Sequence, residues 1–165
     1  MSTAIPPRPR QVAGSFRQGP RKRRFAIVAS QFNRQYVQGL VDHAVAELRA
    51  LAPGTEVELH QVPGAFEIPI VARELARQRR ADVILALGVI LKGKTDHAGL
   101  IAQAVTDALQ RIAIEDGVPV IHGVLSLNSE TQARERCLEE GMNRGTEAAR
   151  AAVQMGALVT ELRLK

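Results

Sequence analysis

Three short, nearly unbroken apolar runs and one alternating run are interleaved along this chain with segments whose apolar residues recur every three or four positions. Residues 25–30 (FAIVAS) form the first run. A strand with one solvated face would alternate, so this pattern implies a strand covered on both faces. Val37, Leu40, Val41, Ala44, Val45 and Leu48 follow at helical spacing and are stopped by Pro53-Gly54. Residues 55–62 alternate as a strand. Ile68, Val71, Ala72, Leu75 and Ala76 then mark a helix, with Pro69 tolerable in its first turn. Residues 82–90 (DVILALGVI) are the most apolar strand, and Ile101, Val105, Ala108, Leu109 and Ile112 share the face of the next helix. Residues 119–125 (PVIHGVL) make the last strand, and helices from about Glu130 and Gly145 complete the chain.

Alternation of this kind dictates an α/β fold: a four-stranded parallel sheet, right-handed crossovers and helices on both faces. In such sheets ligands gather at the carboxyl ends of the strands. Those ends are residues 30–33, 62–67, 88–97 and 125–126, and the polar and glycine-containing signals of the sequence fall there.

One of them, residues 88–95 (GVILKGKT), satisfies the GxxxxGK[ST] spacing of a nucleotide-binding P-loop. Cradling a triphosphate requires a loop that curls until successive N–H groups face the anion, which favours small residues. Val89, Ile90 and Leu91 resist that curl and read as the strand continuing. No later strand ends in an acid that would hold magnesium. A nucleotide-hydrolysing or kinase reading is therefore disfavoured, whereas phosphate binding survives. Gly93, Lys94 and Thr95 are expected to open a helix, whose free N–H groups attract an anion.

At 165 residues the chain is one domain with room for a substantial core. Its aromatic content of 3% supplies poorly the stacking platform of single-stranded nucleic-acid binders. A single cysteine, Cys137, excludes an internal disulfide, and the four histidines show no metal-site spacing. No apolar stretch approaches a membrane span and no signal-peptide core is evident, so a cytoplasmic setting is expected. The net charge of +5 is localised. Residues 1–24 hold seven basic side chains and no acid, leaving 15 basic against 17 acidic, about −2, for residues 25–165. This proline-containing tail lacks apolar periodicity and is expected to be poorly ordered alone. A solvated extension, or one packed on a neighbouring subunit, is favoured over a nucleic-acid-binding arm.

FN at 32–33, VPGAFEIP at 62–69, ALGVILKGKTDH at 86–97, PVIHGVL at 119–125, QARERC at 132–137 and NRG at 143–145 together resemble the lumazine synthase family. The resemblance runs from about Phe25 to Val159, in matching order. It implies a flavodoxin-like three-layer sandwich and a cofactor-free, metal-free enzyme of riboflavin biosynthesis. That family condenses 5-amino-6-(D-ribitylamino)uracil with 3,4-dihydroxy-2-butanone 4-phosphate, giving 6,7-dimethyl-8-ribityllumazine, phosphate and water. The reaction needs proton shuttling near neutral pH, which an imidazole supplies.

By that resemblance His97 is the general acid/base, although a lone histidine in a first helical turn is otherwise a cap or surface residue. Phosphate falls to Gly93, Lys94 and Thr95, with Arg136 from an adjacent subunit. A guanidinium suits it through paired hydrogen bonds, but Arg136 alone reads as a solvated helix cation. The ribitylaminouracil falls to Phe32, Gly64, Ala65, Phe66, Glu67, Gly88, Val89, Ile90, His122 and Arg144. Glu67 alone reads equally well as a first-turn acid favoured by the helix dipole, Phe32 as a core or staple residue, and His122 as a satisfied strand histidine. Sites between subunits imply a homopentamer, with twelve pentamers in an icosahedral shell and association with riboflavin synthase as further family options. The short Arg136-to-Asn143 connection resembles shell-forming members.

The sequence also departs from the family pattern. Lys94 adds a cation beside the phosphate, His122 replaces a phenylalanine, Arg144 replaces a lysine, and Ala98-Gly99-Leu100 replaces a more aromatic segment. These departures bear on efficiency more than on reaction class. A shell protein with an inactive site is the remaining alternative.

Overall fold

The computed structural model describes residues 22–164. Four strands, β1 (Arg24–Ser30), β2 (Glu56–Val62), β3 (Val83–Leu91) and β4 (Val120–Leu127), form one parallel sheet in the order β2-β1-β3-β4. Between and after them run α1 (Arg34–Leu51), α2 (Ile68–Arg77), α3 (His97–Asp116), α4 (Glu130–Cys137) and α5 (Arg144–Leu164). The expected strand–helix alternation and the helix pair at the end are therefore present. Residues 1–21 of the basic tail lie outside the described residues. Arg24, counted with that tail in the sequence, is instead the first residue of β1, where its backbone N–H and side chain both bond Asp82.

Each face of the sheet has its own core. Phe25, Ile27 and Ala29 of β1 and Val83, Leu85, Leu87 and Val89 of β3 pack beneath α1, α4 and α5. Ala26, Val28, Ile84 and Ala86 point the other way, beneath α2 and α3. Adjacent residues of a strand face opposite sides, so full burial of β1 and β3 explains their nearly continuous apolar sequence. β2, at one edge, keeps Glu56, Glu58 and Leu59 exposed and alternates accordingly.

Glycines set how closely α1 meets the elements beyond it. A Cβ at Gly39 would stand 2.4 Å from the Cys137 carbonyl oxygen, and one at Gly145 2.2 Å from that of Leu40. Both obstacles are backbone, which cannot swing aside. At the corner between α4 and α5 the fully buried Asn143 donates to the Cys137 carbonyl (2.9 Å) and accepts from the N–H groups of Gly145 (2.9 Å) and Thr146 (3.3 Å). It thereby satisfies two of the N–H groups that the first turn of a helix leaves open. Arg150 and Glu47 join α5 to α1 by an ion pair of 2.8 Å.

Two outcomes follow from this packing. Gly145→Ala should lower stability by about 1–3 kcal/mol, the usual cost of forcing extra volume into a packed contact, seen as an earlier urea midpoint. The Cys137 thiol is fully buried, and burial raises its pKa from 9.0 to about 12. The unfolded chain therefore loses this proton first, and stability should fall as pH climbs from about 9 towards about 12. Cys137→Ser, compared with the parent by denaturant melts across that range, should remove this component of the slope.

Candidate active site

The strand order reverses between β1 and β3, because the chain leaves β1 towards β2 and then returns to the other side. The loops after those two strands diverge and open a crevice at the carboxyl edge. Phe32 and Asn33 follow β1, residues 63–67 follow β2, and residues 92–96 follow β3. One sheet edge thus carries Phe32, Gly64, Ala65, Phe66, Glu67, Gly93, Lys94, Thr95 and His97, the larger part of the residues singled out in the sequence.

Asn33 spans the crevice. Its side-chain amide donates to the Val89 carbonyl at 2.8 Å while its backbone takes a left-handed conformation, φ 56°, to start α1. Asparagine tolerates that conformation better than most residues. The sequence analysis assigned Asn33 no role, although an asparagine just before an apolar-periodic segment is a recognisable helix-start signal. Beyond Asn33, the N–H groups of Gln31 and Phe32 bond the Val62 and Pro63 carbonyls, tying the β1 loop to the β2 loop. The Phe32 ring lies over Gly64, 3.3 Å from where a Cβ would stand, and is 71% exposed. An open aromatic face at a ligand-binding edge suits stacking on a flat ring.

Glu67 closes the 63–67 loop on itself: Gly64 N–H donates to its carboxylate at 2.8 Å. One carboxylate oxygen thus fixes the loop, and the exposed remainder can accept from hydroxyl donors. Ala65 is buried. Phe66, 59% exposed, lines a 440 Å³ groove with Pro69, Ile70 and Arg73 of α2 and Ala104 and Arg111 of α3. Gly88 lies deep at the crevice: a Cβ there would approach the buried Ser30 hydroxyl at 3.1 Å and Ile68 at 3.3 Å. The Val89 side chain is in the core on the α1 face, so only its backbone can meet a ligand. Ile90 packs partly buried on the opposite face.

β3 continues through Leu91, which places Val89, Ile90 and Leu91 in regular strand and leaves no nucleotide-cradling curl before Gly93. The expected helix start is also revised. Residues 93–95 form an exposed loop, and α3 begins at His97 after Asp96. Thr95 and Asp96 are both credible starting residues, and only the three-dimensional path selects between them. Lys92 anchors the loop base, its N–H bonding the Leu127 carbonyl at 2.9 Å. Lys92, Lys94 and His97 all reach solvent, and the two lysines make no ion pair among the described residues. The result is a cationic, glycine-containing loop beside an imidazole.

No hydrogen bond or ion pair joins His122, Arg136 or Arg144 to this group among the described residues. His122 lies five residues before the end of β4, about 16 Å back from the edge at about 3.3 Å per residue. It is exposed on the α3 face, its Nε2 at 2.8 Å from Thr106 Oγ1. Arg136 sits near the end of α4, half-buried, its Nε without a hydrogen-bond partner. Arg144 opens α5 and pairs with Glu147. A cavity of 320 Å³ at the end of β1 is lined by Ser30, Gln31, Arg34, Gln38 and Gln61 and shares no residue with the loop cluster. Among the described residues there is no cluster of metal-ligating side chains, and no helix is long and apolar enough to cross a membrane.

The fold and its edge thus define a class: a doubly covered parallel α/β protein with an aromatic, a carboxylate, a cationic glycine-containing loop and a histidine on the carboxyl side. Comparison with known proteins makes it particular. The sequence profile of the 6,7-dimethyl-8-ribityllumazine synthase family matches residues 22–160, and the chain belongs to that family. It is 39% identical over 140 residues to the 6,7-dimethyl-8-ribityllumazine synthase of Halorhodospira halophila (strain DSM 244 / SL1), a match spanning 84% of this chain and 90% of that one. Among solved structures, a de novo designed Rossmann fold protein aligns over 68% of this chain and 91% of its own at a TM-score of 0.38 and 17% identity, too slight a likeness to inform the fold.

Asn33→Ala tests the bridge across the crevice. It removes a hydrogen bond and places alanine at positive φ, which together should cost about 1–3 kcal/mol. Thermal or urea melts would measure the loss, and hydrogen exchange should show it concentrated at the carboxyl ends of β1 and β3.

Proposed function

We propose that this chain condenses 5-amino-6-(D-ribitylamino)uracil with 3,4-dihydroxy-2-butanone 4-phosphate to form 6,7-dimethyl-8-ribityllumazine, phosphate and water, without cofactor or metal. The observation that carries this reading is the coincidence of family and geometry. The segments that resemble the family's substrate-binding segments, 62–69 and 86–97, meet on one sheet edge within the matched region. In this reading Phe32 stacks on the pyrimidine. The backbone of Gly64, Ala65 and Gly88–Ile90 meets its polar edge, and Glu67 accepts from ribityl hydroxyls. Gly93, Lys94 and Thr95 hold the phosphate as an exposed loop rather than as the first turn of a helix, so contact depends on the lysine charge and free N–H groups.

His97 then exchanges protons with the reacting atoms. It takes one from the attacking amine and returns one to the hydroxyl that leaves as water, assists the enolisation that expels phosphate, and repeats the exchange when the ribitylamino nitrogen closes the ring on the remaining carbonyl with loss of a second water. An imidazole suits both directions because its ordinary pKa lies near 6.5.

The site is completed by a second copy. His122 flanks the heterocycle, Arg136 reaches the phosphate and Arg144 lies beside the pyrimidine, all from the adjacent subunit of a pentamer. Two observations support this. None of the three side chains bonds to the loop cluster within one chain among the described residues, and Phe66, Ile70 and Leu100 expose 59%, 62% and 69% of their surface on the α2–α3 side. Exposed apolar area of this kind marks a contact surface.

Purified protein given both substrates, with no nucleotide or metal added, should develop lumazine absorbance, and mass photometry should report a multiple of five chains. His97→Ala should reduce turnover about 100- to 10,000-fold, the usual contribution of a positioned acid/base, with assembly unchanged. Normal particles that leave both substrates unreacted would instead identify a shell protein with an inactive site.

A further inference from the structure

We infer that Thr106 is a positioning residue for the heterocycle site: it holds the His122 ring in one orientation with its proton on Nε2, so that Nδ1 is presented as an acceptor to an N–H edge of the pyrimidine. The inference rests on the reading above, in which His122 meets the heterocycle bound by an adjacent subunit.

Proton counting around one hydroxyl carries it. Thr106 Oγ1 lies 2.7 Å from the Ala102 carbonyl oxygen and 2.8 Å from His122 Nε2. A threonine hydroxyl has a single proton, and a carbonyl oxygen only accepts. The shorter contact is therefore the hydroxyl donating back to residue i−4, a common habit of threonine within helices. The lone pairs of Oγ1 face the ring, and the hydrogen between Thr106 and His122 must come from Nε2. In the neutral imidazole Nδ1 is then bare. No other hydrogen bond or ion pair engages His122 among the described residues, so Nδ1 is available.

The arrangement is stiff at each step. β-Branching restricts the threonine χ1, the back-bond fixes its hydroxyl, and α3 packs against β4 through Val105, Leu109 and Val124. Without this hydroxyl, an exposed imidazole on an edge strand would sample both tautomers and several ring rotations. Where the family pattern has a phenylalanine, this chain carries a ring that can accept a hydrogen bond at a defined atom. The ligand chemistry selected is a flat heterocycle presenting N–H donors, as an aminouracil does.

Solid-state NMR on the assembled full chain, ¹⁵N-labelled at histidine and held at about pH 8.5, above the ordinary imidazole range, reads the tautomer directly, with His122→Phe identifying its signals. The expected result is one Nε2–H tautomer whose proton exchanges slowly in the parent and in Thr106→Ser. Thr106→Val should give mixed tautomers and fast exchange. Calorimetry with 5-amino-6-(D-ribitylamino)uracil should show Thr106→Val binding about three- to tenfold more weakly, the worth of one net hydrogen bond. Thr106→Ser should bind like the parent. The double variant Thr106→Val/His122→Phe should bind no more weakly than His122→Phe alone. A parent ring protonated mainly on Nδ1, or equal affinity in parent and Thr106→Val, overturns the inference while leaving the functional reading intact. A parent that binds no ribitylaminouracil defeats the functional reading, and this inference with it.

Discussion

Two-sided burial of β1 and β3 is the constraint on which the rest of this structure depends. Both strands run through the middle of the sheet, and alternate residues of each lie in separate cores, one under α1, α4 and α5 and the other under α2 and α3. Such strands exchange all their backbone hydrogen bonds with neighbours and leave no face to water, so polar chemistry is confined to their ends. At the carboxyl ends the chain leaves the two strands in opposite directions, and a gap opens between their loops. The 2.8 Å bond from Asn33 to the Val89 carbonyl crosses that gap.

The loops are fixed to different degrees, and the differences suit distinct tasks. The β1 and β2 loops are tied together by backbone bonds at Val62 and Pro63, and Glu67 closes the β2 loop on Gly64. Such a surface is preorganised, which would lower the entropy cost of binding the rigid ring of the proposed substrate. The β3 loop is anchored at Lys92, and the residues beyond it are exposed as far as His97. A phosphate, with charge spread over several oxygens, can be held by such a loop without the orientation that a heterocycle demands.

The legibility of the sequence followed the same division. Strands and helices were readable because burial on one or two faces leaves a period in the apolar residues, and 25–30 and 82–90 left the plainest ones. The last strand was read two residues short, ending at Leu125 rather than Leu127. Its exposed Ser126 looked like a terminus, whereas its pairing with Ile90 comes from the neighbouring strand. The first turn of α3 was placed too early because glycine, threonine and aspartate before it each permit a start. His97 and the 62–67 segment stood out through composition and family pattern. The Asn33 bridge did not, because it depends on a residue 56 positions away. Thr106 left no sign at all: a threonine inside a helix carries no signal until the ring of His122 is seen beside it.

The corner at Asn143 bears on how the site operates. Its amide nitrogen and oxygen are both engaged, Gly145 sits against the Leu40 backbone, and Gly39 against that of Cys137. The corner therefore has little play, and the backbones carrying Arg136 and Arg144 move with the body of their own subunit. In the proposed pentamer each subunit would present these cations to its neighbour as a fixed template. Under that proposal any adjustment around an arriving phosphate would fall to the exposed loop after β3, giving the site one stationary wall and one that adapts.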